Sequence, residues 1–488
     1  MEPRTPNAGS GVSFSSAPSF LCRLADLPKV SLNPAFDYSA ELQKSLFGKR
    51  LLPQELSFSI ESIHSHYANG YVSFEPGLRD ADGRLICSRC GNSDRLGSFL
   101  CARCGRTCTY CRNCIMMGRV STCTPLLTWS GPASMRSQLD NPLAWDGRLT
   151  PLQSHASEQI SSSVGRLPEM LIWAVCGAGK TELLFEAVFR SLNRGLHVCL
   201  ASPRTDVILE LEPRFRKAFP FSEIIALYGG SSDNDKNGQL VLSTTHQLLR
   251  FHQTFDLVII DEVDAFPFHH DASLQHAVAQ AKQPDATVVY LTATPTNDLK
   301  KRFKSGELPG VRIPRRYHGH PLPVPVFVGC GHWKKQLQKG KLPATVIRWL
   351  ETRGQRNIQA FLFVSEVEVM KRVAQCLVQR GISADGVHSE DPERRDKVQK
   401  FRDGALSVIV TTTILERGVT VAGAEVAVLG ADEDVFTEQA LVQIAGRVGR
   451  SSRSPGGEVV FFYEKKSREM VRARRHINGM NAEKGERL

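Results

Sequence analysis

From Leu149 onward, short wholly apolar runs alternate with amphipathic segments whose apolar positions return every three or four residues. "MLIWAV" is followed by "TELLFEAVFRSLNRG", closed by Gly195, and then by "HVCLAS"; later come "LVLST", "FDLVIIDE" and "TVVYLTAT". An apolar run without polar alternation predicts a strand covered on both faces, and the helical period between runs predicts the cover. The rhythm pauses over the basic, proline-rich stretch 300–325 and restarts with "IQAFLFVS", "EVEVMKRVAQCLVQRG", "LSVIVTTT", "AEVAVLG", "TEQALVQIAGRVGR" and "GEVVFFYE". The pattern predicts an α/β chain with two tandem parallel-sheet domains, 149–299 and 326–464, joined by a connector at 300–325 and followed by a basic tail at 465–488. Ahead of them lie an N-terminal region (1–84), a cysteine-rich module (85–125) and a Ser/Pro/Gly-rich linker (126–148). About the first 20 residues have the composition of disorder, and 38–75 reads as helix followed by strand.

Composition narrows the partners only a little. Lys plus Arg outnumber Asp plus Glu, 61 to 50, a formal charge of +11 over 488 residues, which suits a polyanion and equally suits solubility. No apolar run approaches the ~20 residues of a membrane span, and the start lacks a basic-then-apolar signal sequence, so a cytoplasmic protein is expected.

Three short stretches carry chemistry. "AVCGAGKT", 174–181, ends a strand and opens a helix, where backbone N–H groups and the helix N-terminus hold phosphates. Gly177, Ala178 and Gly179 supply the close backbone approach, Lys180 the β- and γ-phosphate contact, and Thr181 a hydroxyl for Mg²⁺; the bound nucleotide is ATP. "LVIIDEVD", 257–264, puts Asp261 and Glu262 at the carboxyl end of a buried strand, Asp261 for Mg²⁺ and Glu262 to deprotonate the attacking water. "QIAGRVGR", 443–450, sets Arg447 and Arg450 three apart, expected on one helix face reaching a γ-phosphate from the facing domain, Arg450 first.

In this company the chain from 149 to about 463 resembles superfamily 2 helicases. "LTPLQ" (149–153) is similar to an adenine-reading motif centred on Gln153. "ASPRTDV" (201–207), "STTHQLL" (243–249) and "TTTILERGVT" (411–420, with Gly418 at the nucleotide) are similar to segments that grip a nucleic-acid backbone or sense nucleotide. "TATP" (292–295) is similar to the element that couples hydrolysis to domain motion. "DEVD" replaces the common "DEAD" or "DEAH", and Thr420 stands where a ribose-contacting acid is usual, both departures from the DEAD-box RNA helicases. A cysteine module ending "YCRNCIMMGRV" (110–120), with "DEVDAFPF" behind it, resembles the ComFA family of bacterial competence ATPases. That resemblance implies two RecA-like domains preceded by a zinc module, and a DNA-dependent motor that assists uptake of single-stranded transforming DNA. It implies partners among other competence proteins and a membrane DNA channel, with membrane association only through them, and it leaves a homo-oligomer open. The alternatives are a duplex-unwinding helicase of the replication-restart type and a nucleotide-switched docking module.

Eight of the thirteen cysteines lie between 87 and 123. Cys-x₂-Cys pairs recur at 87/90, 101/104, 108/111 and 111/114, and two such turns complete a structural Zn²⁺ shell. The resemblance favours Cys87, Cys90, Cys111 and Cys114. Spacing alone also allows Cys87, Cys90, Cys101 and Cys104, and eight cysteines, Cys108 and Cys123 among them, could fill two sites. Arg89, Arg95, Arg103, Arg106, Arg112 and Arg119 surround the cysteines and suit either phosphate contacts or a solvated basic face.

Overall fold

The computed structural model describes residues 24, 27–133, 143–233, 236–413 and 421–483. By internal packing they form two units: Leu51–Pro132 with the chain up to Ser39, and Ala40–Arg50 with Ala133–Leu488.

The first unit is built from short pieces. Its helix Ile60–Ala68 starts where the Ser59 hydroxyl accepts from the Ser62 N–H at 3.2 Å. Strands β1 (Val72–Pro76), β2 (Leu78–Ala81), β3 (Arg84–Cys87), β4 (Leu96–Leu100), β5 (Thr107–Cys111) and β6 (Pro125–Trp129) pair as antiparallel ribbons β1–β6, β2–β3 and β4–β5. Phe36, Tyr38, His66, Tyr71 and Trp129 make an aromatic cluster on the β1–β6 side, with Tyr38 stacked on Tyr71 at 5.0 Å. Two-stranded ribbons are marginal in water by themselves. On the β4–β5 ribbon Phe99 meets Tyr110 edge-on at 5.7 Å, with Arg119 over the Phe99 ring.

The second unit carries both large sheets. Strands β7 (Glu169–Ala174), β8 (Val198–Ser202), β9 (Ile224–Leu227), β10 (Leu240–Thr244), β11 (Phe255–Asp261), β12 (Lys282–Thr292) and β13 (Gly310–Ile313) form one parallel sheet, ordered β13-β7-β12-β11-β8-β10-β9. Strands β14 (Val326–Gly329), β15 (Ala360–Phe363), β16 (Ala384–Val387), β17 (Val408–Thr411), β18 (Glu425–Leu429) and β19 (Val459–Tyr463) form the other, ordered β14-β19-β18-β15-β17-β16 and also parallel. The central strands are buried along most of their length, as the unbroken apolar runs require. This is the two-domain α/β architecture expected from the sequence.

The element boundaries differ from expectation in four places. The connector begins later than 300: helix Asn297–Ser305 and edge strand β13 belong to the first sheet, Gly310–Ile313 pairing with Leu171–Ala174. The basic tail is largely the helix Arg468–Ala482, whose Met470, Ala473, Ile477 and Met480 are buried while Arg468, Arg472 and Arg475 are exposed. The 126–148 linker starts as strand, because Leu126 and Leu127 belong to β6 and are buried. Within 38–75 two helices precede the strand, and the first, Ala40–Leu46, sits with the large unit. There Lys49 Nζ donates to the Lys236 carbonyl and Asn237 Nδ2 to that of Phe47 at 2.7 Å. The disorder expected near the start, Gly418 and most of 411–420 lie outside the described residues.

No helix among the described residues is long and apolar enough to cross a membrane.

Candidate active site and metal centre

The carboxyl ends of β7, β12 and β11 are neighbours in the first sheet, so the turns that follow them share one cleft. After β7 the backbone takes positive φ at Gly177 (+81°) and Gly179 (+71°), where side chains are strained; a Cβ at 179 would collide with the Gln153 amide. Lys180 and Thr181 then open the helix Lys180–Asn193, aiming the first-turn N–H groups at the cleft. Asp261 ends β11. Glu262 holds a left-handed φ of +59°, strained for a non-glycine residue, while its N–H donates to Leu291 O at 2.8 Å. Lys180, Thr181, Asp261 and Glu262 line a cavity of about 650 Å³ together with Trp145, Tyr317 and, from the second sheet's side, Gln443 and Arg450. The Thr181 hydroxyl accepts from Arg214 at 3.2 Å, and Arg214 also pairs with Glu182.

Gln153 is 4% exposed, and both ends of its amide are engaged. Its Oε1 accepts from the Thr150 N–H at 2.8 Å, closing a capping box for the helix Pro151–Ser163, and its Nε2 donates to Ala178 O at 2.9 Å. It braces the phosphate loop and also lines the same cavity.

The two arginines do not share a helix face. The helix Glu438–Ala445 ends before them, and Gly446 and Gly449 (φ +69°) turn the chain. Arg450 therefore lines the cavity. Arg447 is buried over Phe361 of its own sheet, the guanidinium carbon 5.6 Å from the ring centre.

Side chains beyond those expected tie the two sheets together. Asp264, buried, accepts from the hydroxyls of Thr292 at 2.5 Å and Thr294 at 2.6 Å. Thr294 in turn accepts from Gln443 Nε2 at 3.2 Å, and Gln443 Oε1 accepts from the Cys176 thiol at 3.0 Å. One chain of hydrogen bonds thus joins "DEVD", "TATP", the arginine segment and the phosphate loop. Cys176 is a packing and bonding residue, since Gly446 lies against its side chain. Arg316 of the connector, 2% exposed, donates to Gly449 O at 2.5 Å and Val448 O at 2.6 Å, and burial pushes its guanidinium down to about 10. The next residue, Tyr317, donates its N–H to Gly177 O at 3.0 Å. The sequence marked Arg316 only as one basic residue among many. Ion pairs Arg394–Asp206 (2.5 Å) and Lys300–Glu438 (3.4 Å) also join the two sheets' domains.

In the smaller unit the eight thiols sort into two groups. Cys87, Cys90, Cys111 and Cys114 are all buried; Cys101, Cys104, Cys108 and Cys123 are buried or half-buried; within each group the sulfurs lie within 4.8 Å of one another. The set 87/90/101/104 allowed by spacing is not assembled. Cys108 and Cys111, three apart on β5, point to opposite faces, so each serves a different group and the interleaving follows. In the first group the Sγ atoms of Cys87 and Cys114 are 3.8 Å apart and those of Cys90 and Cys111 3.6 Å. Crowding drives the Cys87 thiol up, chiefly through Cys111, and the Cys111 thiol down, chiefly through Cys114. Four buried sulfurs sharing protons at this spacing fit a tetrahedral dication with no open ligand position. Arg89, fully buried, donates to the carbonyls of Cys114 (2.8 Å), Met117 (2.8 Å) and Gly118 (2.6 Å). It is an internal brace that no phosphate reaches.

Family models match the chain as the competence protein ComFA N-terminal domain (33–128), the res subunit of type III restriction enzymes (146–297) and the helicase conserved C-terminal domain (341–452). It is 47% identical to competence protein ComFA of Bacillus subtilis over 91% of this chain and 96% of that protein. To the competence protein ComFA of Streptococcus pneumoniae it is 38% identical, over 84% and 93%. Among solved structures, Saccharomyces cerevisiae Dbp5 bound to RNA and ADP BeF3 matches with a TM-score of 0.53 at 15% identity, covering 69% of this chain and 88% of that one. The DEAD-box helicase Mss116 matches at 0.52 and 16%, covering 69% and 78%. These structures share the fold.

Proposed function

The chain belongs to the ComFA family of competence proteins, and from that premise we propose that it is a motor ATPase stimulated by single-stranded DNA, assisting entry of transforming DNA into the cytoplasm. It is a helicase-like, ATP-hydrolysing enzyme by its domains. The observation that carries the finer reading is the cavity where the phosphate loop, Asp261, Glu262 and Arg450 meet across two sheets.

ATP enters as substrate. Gly177, Ala178, Gly179 and Lys180 hold its phosphates. Glu262 takes a proton from water as that water's oxygen bonds to the γ-phosphorus and the bond to the ADP oxygen breaks. Arg450 neutralises charge on the transferred group from the far side, and Arg447 acts by holding the arginine turn against Phe361. Thr181 and Asp261 would hold Mg²⁺, which supplies charge neutralisation at the phosphates. The bonds from Asp264 through Thr294 to Gln443 and Cys176 make hydrolysis and domain approach one event, the requirement for stepping along a strand. A backbone-gripping mode on single strands is consistent with the net positive charge. Zn²⁺ at Cys87, Cys90, Cys111 and Cys114 would be structural. The setting is the cytoplasmic face of a membrane DNA channel, reached through other competence proteins.

Steady-state ATP hydrolysis tests the reading, measured alone and with single-stranded DNA, duplex DNA or RNA, with Lys180→Ala as blank. Stimulation by single strands well above duplex is expected. Equal stimulation by duplex or forked DNA would replace the import motor with an unwinding helicase, and tight ATP binding without turnover would replace it with a nucleotide switch.

A further inference from the structure

We propose that Cys101, Cys104, Cys108 and Cys123 form a second tetrathiolate zinc site, interleaved with the first and independent of the nucleotide chemistry. The two groups open on the same local fold. In Cys87–Cys90–Gly91 the Gly91 N–H donates to Cys87 O at 2.9 Å and the Cys87 N–H to Asn92 O at 2.9 Å, with Gly91 at φ +71°. In Cys101–Cys104–Gly105 the Gly105 N–H donates to Cys101 O at 2.8 Å and the Cys101 N–H to Arg106 O at 2.9 Å, with Gly105 at φ +66°. The same turn, with the same left-handed glycine, presents two sulfurs to one side in both. Cys108 from β5 and Cys123 from the segment before β6 close the second set.

The spacing selects the ion. Zn–S bonds of about 2.3 Å in a tetrahedron put sulfurs about 3.8 Å apart. Here Cys101 and Cys123 are 3.4 Å apart, Cys104 and Cys108 3.3 Å, and all four lie within 4.8 Å. That is too tight to enclose an iron–sulfur cluster and too long for disulfides, whose sulfurs sit about 2.05 Å apart. An all-sulfur set favours zinc over harder cations.

The ribbon β4–β5 also needs such a clamp. Among its strand residues only Cys108 and Cys111 are buried, and Leu100 is 79% exposed. Beyond the half-buried Phe99–Tyr110 contact, this ribbon's buried side chains are its own thiols, and a two-stranded ribbon so built is marginal by itself. Since β5 feeds Cys108 to one site and Cys111 to the other, each ion fixes the strand that the other depends on.

The test uses the full chain purified under reducing conditions, with zinc counted by elemental analysis and native mass spectrometry. Two zinc ions per chain are expected, with Cys104→Ser and Cys123→Ser each retaining one. Iodoacetamide should label Cys101, Cys104, Cys108 and Cys123 slowly until a chelator is added. One zinc per chain with all eight thiols reduced would overturn the proposal. So would labelling of those four as fast in the native as in the denatured protein, or a Cys101–Cys123 disulfide. If a serine variant fails to fold, the wild-type zinc count and labelling pattern still decide.

Discussion

Replacing Gln443 with Leu isolates the link between the two sheets. Leu is apolar and of similar reach, so the cavity term is small at a site 3% exposed. The change deletes two bonds: Nε2 to the Thr294 hydroxyl at 3.2 Å and the Cys176 thiol to Oε1 at 3.0 Å. Thr294 still donates to Asp264, so no strong donor is orphaned. A neutral hydrogen bond contributes about 1 kcal/mol net and a thiol donor about half of that. Roughly 1.5 kcal/mol of preference for the joined arrangement should therefore go, about a tenfold fall in its equilibrium constant. The assay is DNA-stimulated ATP hydrolysis at low ATP, with binding of a fluorescent ATP analogue to the phosphate loop as control. We expect kcat/KM to fall about tenfold and analogue binding to change less than about twofold. Cys176→Ala should cost less, and the double variant should cost less than the two changes added, as bonding partners require. A Gln443→Leu enzyme within twofold of wild type would refute the relay as a coupling element.

Other outcomes follow from the same geometry. Lys180→Ala and Glu262→Gln should each lower turnover at least a hundredfold with circular dichroism unchanged, and normal turnover in either would remove it from the active site. Arg316→Met should lower kcat at least tenfold while KM for ATP moves less than threefold, with partial recovery in Arg316→Lys; equal effects on both parameters would make Arg316 merely structural. Cys90→Ser should release one zinc and make the segment around 85–125 sensitive to protease, and unchanged metal content would be the contrary result. Glu438, hydrogen-bonded by His476 and paired with Lys300, has its carboxyl held down at about 2. Its folded pKa lies below the unfolded value, so its stabilisation is full above about 4.5 and is lost as pH falls toward 2. Wild type should therefore outlast Glu438→Gln in urea at pH 7 by about 2 kcal/mol after discounting for partial exposure, with the gap closing through that window. A gap that persists at pH 2 would put the effect elsewhere.

The large sheets were legible because central parallel strands are buried on both faces and read as unbroken apolar runs. Strand β13 was not: "GVRI" at a sheet edge sits among lysines, arginines and prolines, and nothing local distinguishes it from connector. The last helix was hidden similarly, its stripe of Met470, Ala473, Ile477 and Met480 diluted by four arginines along the same helix. That the turn at 174–181 leads into a helix and that Asp261 ends a buried strand could be read directly, since each pattern is contiguous. Arg447 and Arg450 looked alike because spacing alone assumed the helix continued, whereas Gly446 stops it. The sorting of thiols also escaped spacing, since Cys-x₂-Cys repeats everywhere and only the two faces of β5 decide it. Arg316, Gln443 and Asp264 act through partners far away in sequence, which no linear pattern encodes.

The segment joining the two sheets has unequal attachments. Toward the second domain it is held by Arg316 at Val448 and Gly449, by His318 at Gly449 (3.1 Å), and by Leu322 and Asn481 exchanging two bonds. Toward the phosphate loop, past the end of β13, it has the bond from Tyr317 to Gly177. A cleft that opens would break that bond, leaving Tyr317 to travel with the arginine turn. Withdrawal of Arg450 and unroofing of the phosphate loop would then be a single movement, so spent nucleotide gains its exit only when the charge that helped cleave it has gone.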